Sequence, residues 1–198
     1  MVEVISALAG HLPWGSLGDG QGVELAEVTG HDMVQMAWWR DTDMMARAVL
    51  DEVLALTAGT GAGGARKSGD VTVFPVRPGA VWITAPASAG LRDRLAGSPL
   101  TGFGTITELG HAYTLLRLSG PRAPALLSRH AAVDVHPAVF PPGCCTFASL
   151  AQVQVLLHNA ADGGRGCIFD LYLPRSQALA LFQPLAATAR IINAAFTS

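Results

Sequence analysis

The sequence predicts an α+β chain made of two similar β-α-β-β-α halves. Three observations carry this expectation. Short runs rich in Val, Ile, Leu and Thr, bounded by Gly, Pro and Asp, read as strands. Between them lie stretches whose apolar residues recur at helical spacing. The order strand, helix, strand, strand, helix then occurs twice, roughly 80 residues apart. The halves are expected at 23–110 and 111–198, behind an irregular lead at 1–22, all within one compact unit.

The lead is broken by Pro13, Gly15, Gly18, Gly20 and Gly22. VELAEVT (23–29) and MVQMAWW (33–39) read as two strands joined by a turn at Gly30-His31-Asp32. Asp41 or Thr42 caps a helix through about Leu56, whose apolar face is Met45, Val49, Val53 and Leu56. The segment 57–70 is small and glycine-rich, and 59–69 within it reads as a mobile surface loop. VTVFPV (71–76) and AVWIT (80–84) flank a turn at Arg77-Pro78-Gly79, and a short helix at 88–96 and a strand at 104–109 follow. In the second half, YTLLRLS (113–119) is a strand and Gly120-Pro121 opens a helix to about Arg129. Residues 146–159 are β-rich, IFDLYL (168–173) is a strand, and Ser176 begins a helix towards Ile192.

Half of the 198 residues are apolar, 14% are charged and the mean hydropathy is +0.36, which leaves little polar covering. No run of roughly 18 uncharged apolar residues exists to span a membrane. The surplus apolar surface is expected to lie against another protein. A net charge of −2 gives no attraction to nucleic acid or to an anionic membrane. Glu3 stands where a secretory leader carries positive charge, and three cysteines without metal-type spacing fit a reducing cytoplasm.

The order Leu118-Ser119-Gly120-Pro121, Asp134-x-His136-Pro137, Phe140-Pro141-Pro142-Gly143 and Leu173-Pro174-Arg175-Ser176, spread over 106–185, resembles the gamma subunit of heterotetrameric sarcosine oxidase. The resemblance implies a fold like the folate-binding domain of the aminomethyltransferase (T-protein) of glycine cleavage. It implies larger alpha and beta subunits and a small delta subunit that carry FAD, FMN, NAD and tetrahydrofolate, with no cofactor on this chain. In that complex sarcosine is demethylated oxidatively to glycine, and the one-carbon unit passes to tetrahydrofolate. Two other readings stay open: a free-standing folate-binding aminomethyltransferase-like protein, and the gamma subunit of an N-methylglutamate-type dehydrogenase. An interaction module without a metabolic partner is a third.

Asp134 is the sharpest candidate for chemistry, because the resemblance puts it near the aspartate that acts in aminomethyltransferases. Its place ahead of three prolines equally suits a side chain that satisfies loop N–H groups. The chain ends at Ser198, ahead of the region that supplies the pterin-gripping glutamate in such enzymes, so no catalytic residue is expected here. His136 with Cys144 and Cys145 lacks the ligand spacing of a zinc site, and no metal is expected. Pro137, Pro141 and Pro142 fix the backbone, and Phe140 between them is expected to project as a rigid apolar knob for an interface. Arg175 reads as a helix-start residue that could also pair with a partner. In GTGAGGARKSG (59–69) Arg66 replaces the last glycine of a phosphate-binding loop and a strand follows, which argues against nucleotide. Trp38 and Trp39 point one ring inward and one outward.

Overall fold

Alternation in Tyr113–Gly120 and Cys167–Pro174 sends Leu116, Leu118, Phe169, Leu171 and Leu173 to one face, all fully buried, and these strands centre one of two sheets. The computed structural model describes residues 6–11, 22–56, 64–162 and 166–195. In chain order its elements are β1 (Glu24–Val28), β2 (His31–Trp38), α1 (Asp43–Val53), β3 (Arg66–Ser68), β4 (Val71–Arg77), β5 (Ala80–Pro86), α2 (Leu91–Ala96), β6 (Gly104–Glu108), β7 (Tyr113–Gly120), α3 (Ala123–Leu127), β8 (Cys145–Leu150), β9 (Val153–Asp162), β10 (Cys167–Pro174) and α4 (Ala178–Ala194). They divide into two units, Met1–Thr29 with Ala112–Ser198, and Gly30–His111. Each holds a five-stranded antiparallel sheet and two helices, so the α+β class is borne out. No described helix is long and apolar enough to cross a membrane.

In the first unit the strand order is β1-β7-β10-β9-β8. β1 pairs with β7, Glu24 opposite Ser119 and Val28 opposite Leu115, and not with β2, which follows it in sequence. Residues 23–29 therefore join the later strands, and the second sheet starts at His31 rather than at the expected 23. Helices α3 and α4 cover the face bearing Leu116 and Phe169 with Leu126, Leu127, Leu181 and Leu185. α3 is shorter than expected, and Pro124, not Pro121, lies in its first turn. Gly120 sits at φ 112°, where a Cβ would stand 2.2 Å from the Gly22 carbonyl, so the end of β7 admits no side chain.

Two buried or half-buried polar groups tie chain ends to this sheet. Asn193 of α4 accepts from the Val23 N–H (2.8 Å) and donates to the Val23 carbonyl (3.0 Å), which fixes the start of β1 against the helix. Glu27 takes hydrogen bonds from the Ser6 hydroxyl, the Ala7 N–H (2.9 Å) and the Thr114 hydroxyl (2.7 Å). Through it the turn 6–11, with Leu8 fully buried, is held to β1 and β7. Most of the expected irregular lead lies outside the described residues.

In the second unit the order is β3-β4-β5-β2-β6. Leu50 of α1 and Leu91 and Leu95 of α2 pack on Val34, Met36 and Ile83. Arg40–Thr42 is a 3-10 turn, and Thr42, one of the two expected caps, does stand at the N-cap of α1, but its hydroxyl donates to the Trp39 carbonyl (2.9 Å) and accepts no N–H of the helix. The Trp38 indole N–H donates to Asp43 (2.7 Å), and the Arg47 guanidinium lies 5.5 Å from the Trp38 ring centre. Those contacts lock Trp38 inward at 7% exposure, while Trp39 stands 63% exposed, one ring to each side as expected. Ala55 in the left-handed region (φ 52°) stops the helix early. Of the expected mobile loop at 59–69, residues 59–63 lie outside the described residues. Residues 66–68 form β3 on β4, held by Arg66 to Asp51 (2.6 Å) and the Ser68 hydroxyl to the Ala55 carbonyl (2.7 Å).

Candidate functional site

The corner 134–145 leads from the turns after α3 into the edge strand β8. Asp134 is exposed, and its Oδ1 accepts the His136 N–H two residues on at 2.8 Å. This is an Asx turn, in which the carboxylate does the work of a backbone carbonyl. His136 is exposed too, and its Nδ1 accepts the Ala138 N–H at 3.2 Å, so the ring serves the same local turn. Pro137, Pro141 and Pro142 are exposed along the outer rim.

Phe140 corrects its sequence reading. Instead of projecting, it is 7% exposed and packs in the core with α3, α4 and the sheet. The prolines stiffen the chain without choosing which residue turns inward. That choice is made by Asn159 of β9, whose side-chain N–H donates to the Phe140 carbonyl at 2.9 Å. The Asn159 backbone also donates to Cys144 (2.9 Å) and accepts from Gly143 (2.8 Å). Asn159 is thus the residue that seats the corner, and Val139, 63% exposed, is the apolar side chain the corner presents outward.

Pairing across the sheet places Arg117, Asp170, His158 and Cys145 in one row on the face opposite α3 and α4. Arg117 grips Asp170 with two parallel bonds of 2.7 and 2.9 Å. Donating these bonds to the Asp170 carboxylate raises the Arg117 pKa further. Burial, with Cys144 beside it, pushes the Cys145 thiol up to about 11, which keeps it protonated near neutrality and a poor nucleophile. Cys144, Cys145 and Cys167 are half-buried, and Cys144 and Cys167 pack against the core. Among the described residues no three His, Cys, Asp or Glu side chains gather as metal ligands. Arg175 lies at the end of β10, its N–H donating to the Ala112 carbonyl (2.9 Å), and opens the 3-10 turn before α4.

The sequence-quoted residues therefore fall in two places, Asp134 to Pro142 at the corner and Arg175 at the far end of β10. The paired row Arg117–Asp170 and the seating residues Asn159, Asn193 and Glu27 were not singled out by sequence. Their one sequence signal is a polar residue at an inward position of an apolar strand or helix.

This arrangement, two antiparallel sheets each backed by helices, has the aminomethyltransferase-like fold. Glycine cleavage system aminomethyltransferase T from Bartonella henselae superposes on 83% of this chain and 45% of its own with a TM-score of 0.54 at 16% identity. The particular likeness is to sarcosine oxidase. A chain of the heterotetrameric sarcosine oxidase from Corynebacterium sp. U-96, determined in complex with pyrrole 2-carboxylate, matches with a TM-score of 0.81 over 96% of both chains at 19% identity. In sequence, the chain is 29% identical over 115 residues to sarcosine oxidase subunit gamma from Arthrobacter sp, 54% of this chain and 57% of that subunit. The resemblance read from the ordered motifs is thereby borne out. No protein-family model matches the chain.

Proposed function

We propose that this chain is the non-catalytic gamma subunit of a heterotetrameric sarcosine oxidase-type complex in the cytoplasm. Larger alpha and beta subunits and a small delta subunit would carry FAD, FMN, NAD and the tetrahydrofolate site. The observation that carries the reading is the sequence match to part of a sarcosine oxidase gamma subunit, obtained alongside a fold shared over 96% of its length with a chain of such an oxidase. The residues of this chain support a structural part. Asp134 spends its Oδ1 on its own turn, Asp170 is gripped by Arg117, and the Cys145 thiol is held protonated. Sparse charge fits a chain that buries surface against partners.

Affinity purification of the tagged chain from its native source tests this. Recovery of flavin-absorbing partner subunits that oxidise sarcosine is expected, and recovery of the chain by itself contradicts the reading. The likeness to aminomethyltransferase T over 83% of the chain favours one second reading, a free-standing folate-binding protein. Titration of the isolated chain with tetrahydrofolate separates them: micromolar binding lost in Asp134→Ala supports the second.

A further inference from the structure

Trp39, Met44 and Met45 are 63%, 84% and 59% exposed, three large apolar side chains within seven residues at the start of α1. Their position in the sheet gives them meaning. Trp38 pairs with Gly104, and the Trp39 N–H donates to the Phe103 carbonyl (3.3 Å), so the cluster begins where β6 begins. Among the described residues β6 is hydrogen-bonded on one side only, to β2. Natural sheet edges are guarded by charge, proline or brevity against pairing with another chain. β6 reads Gly-Thr-Ile-Thr-Glu, with no proline and no basic residue, and its one charge at the far end is engaged by Arg92. Thr105 and Thr107 are exposed along it.

The other edges differ. β3 is three residues long, β1 carries Glu24 and Glu27, and the end of β8 is met by Ala131 and by the Ala132 N–H bonding Ser149. β6 thus has little such protection among the described residues, and it abuts the exposed Trp-Met-Met cluster.

We propose that β6 and the cluster of Trp39, Met44 and Met45 form a single docking surface whose occupant is an extended segment of a partner subunit. That segment adds to β6 as a sixth strand and lays an apolar side chain on the cluster. Free backbone N–H and carbonyl groups in register accept a strand and not a helix. An exposed Trp supplies the contact area typical of an interface anchor, and two flexible thioethers adapt around an incoming side chain. The charges near the cluster, Arg40, Asp41 and the Asp43–Arg47 pair, are mixed in sign, so recognition here is by backbone and apolar fit. The proposal rests on the gamma-subunit reading and specifies which surface that reading uses.

Hydrogen–deuterium exchange on the purified native complex, compared with the isolated chain, tests it. The amides of Gly104–Glu108 that face away from β2 are expected to exchange at least about tenfold more slowly in the complex. The double variant W39A/M45A, at exposed positions, is expected to keep the melting temperature of the isolated chain and to bind its partners about 30-fold more weakly. Unprotected β6 amides in an intact complex, or a double variant that binds like the wild type, overturns this proposal and leaves the gamma-subunit reading standing. A wild-type chain that brings down no partner overturns both.

Discussion

Asn193 holds the first strand of the chain to its last helix, and its removal has a size that can be worked out. In Asn193→Ala the Val23 N–H loses its acceptor at 2.8 Å and the Val23 carbonyl its donor at 3.0 Å, at a residue only 3% exposed. A buried backbone group left unpaired costs about 1–3 kcal/mol. The two together should cost about 3 kcal/mol, since water can reach part of the loosened end. For a chain of this size that is a fall in melting temperature of roughly 6–12 °C. Gly22 provides an internal control. A Cβ on Gly22 would stand 2.4 Å from the Asn193 Oδ1, so Gly22→Ala drives out the same amide from the other side. In the Asn193→Ala background that oxygen is gone, and Gly22→Ala should cost less by about 1–3 kcal/mol. Urea unfolding of the four proteins of this cycle, read as midpoint and slope, measures the coupling. Strictly additive losses, or an Asn193→Ala cost below about 0.5 kcal/mol, would refute the clamp.

The remaining predictions concern the tethers and the corner. Burial would raise the Glu27 pKa, but bonds from Ser6, Thr114, Ala7 and Leu8 outweigh it and hold the carboxyl below the ordinary glutamate range. Its contribution is therefore complete above the unfolded value of about 4.3 and fades as pH falls through the lower folded value. Denaturant titrations should show Glu27→Gln less stable than wild type by about 1–2 kcal/mol at pH 7, with the gap closing in acid; a gap that widens in acid contradicts the assignment. Iodoacetamide, followed by peptide mass mapping, should label Cys145 slowly at pH 7 to 8 and faster as pH approaches about 11; rapid labelling at pH 7 would show an activated thiol. Asp134→Ala removes one exposed turn bond and should cost about 0.5–1 kcal/mol by thermal melt, without changing sarcosine oxidation by the complex. Gly104→Ala places a Cβ 1.9 Å from the Ala37 carbonyl and should part β6 from β2, read as fast amide exchange in β6; slow exchange there would mean the strand shifts to fit.

Sequence reading reached the elements whose cause is local. Short apolar runs bounded by Gly, Pro and Ser placed β7 and β10, helical spacing placed α1, and the Asx turn at Asp134 followed from its type and its place before proline. What stayed out of reach depends on residues distant in the chain. β1 was set beside β2 by proximity, yet its partner β7 lies nearly ninety positions on, Glu27 opposite Leu116. Phe140 was set outward because its prolines suggest a displayed loop, and the deciding bond comes from Asn159, 19 residues away. Asn193 reaches Val23 across 170 residues, and no local pattern marks an asparagine near the end of an alanine-rich helix as a clamp. The exposed cluster was half legible: the Trp38-Trp39 pair gave one ring to each side, while Met45, counted on the apolar face of α1, stands outward because the buried stripe runs one position on, through Ala46 and Leu50.

The central claim is that this chain contributes shape and not chemistry to a larger oxidase. Oxygen uptake with sarcosine, measured on the purified chain, on the native complex it is drawn from, and on that complex stripped of it, tests this most directly. The account predicts no uptake by the chain, uptake by the complex, and its recovery when the chain is returned to the stripped complex. Sarcosine turnover by the chain without partners would contradict it.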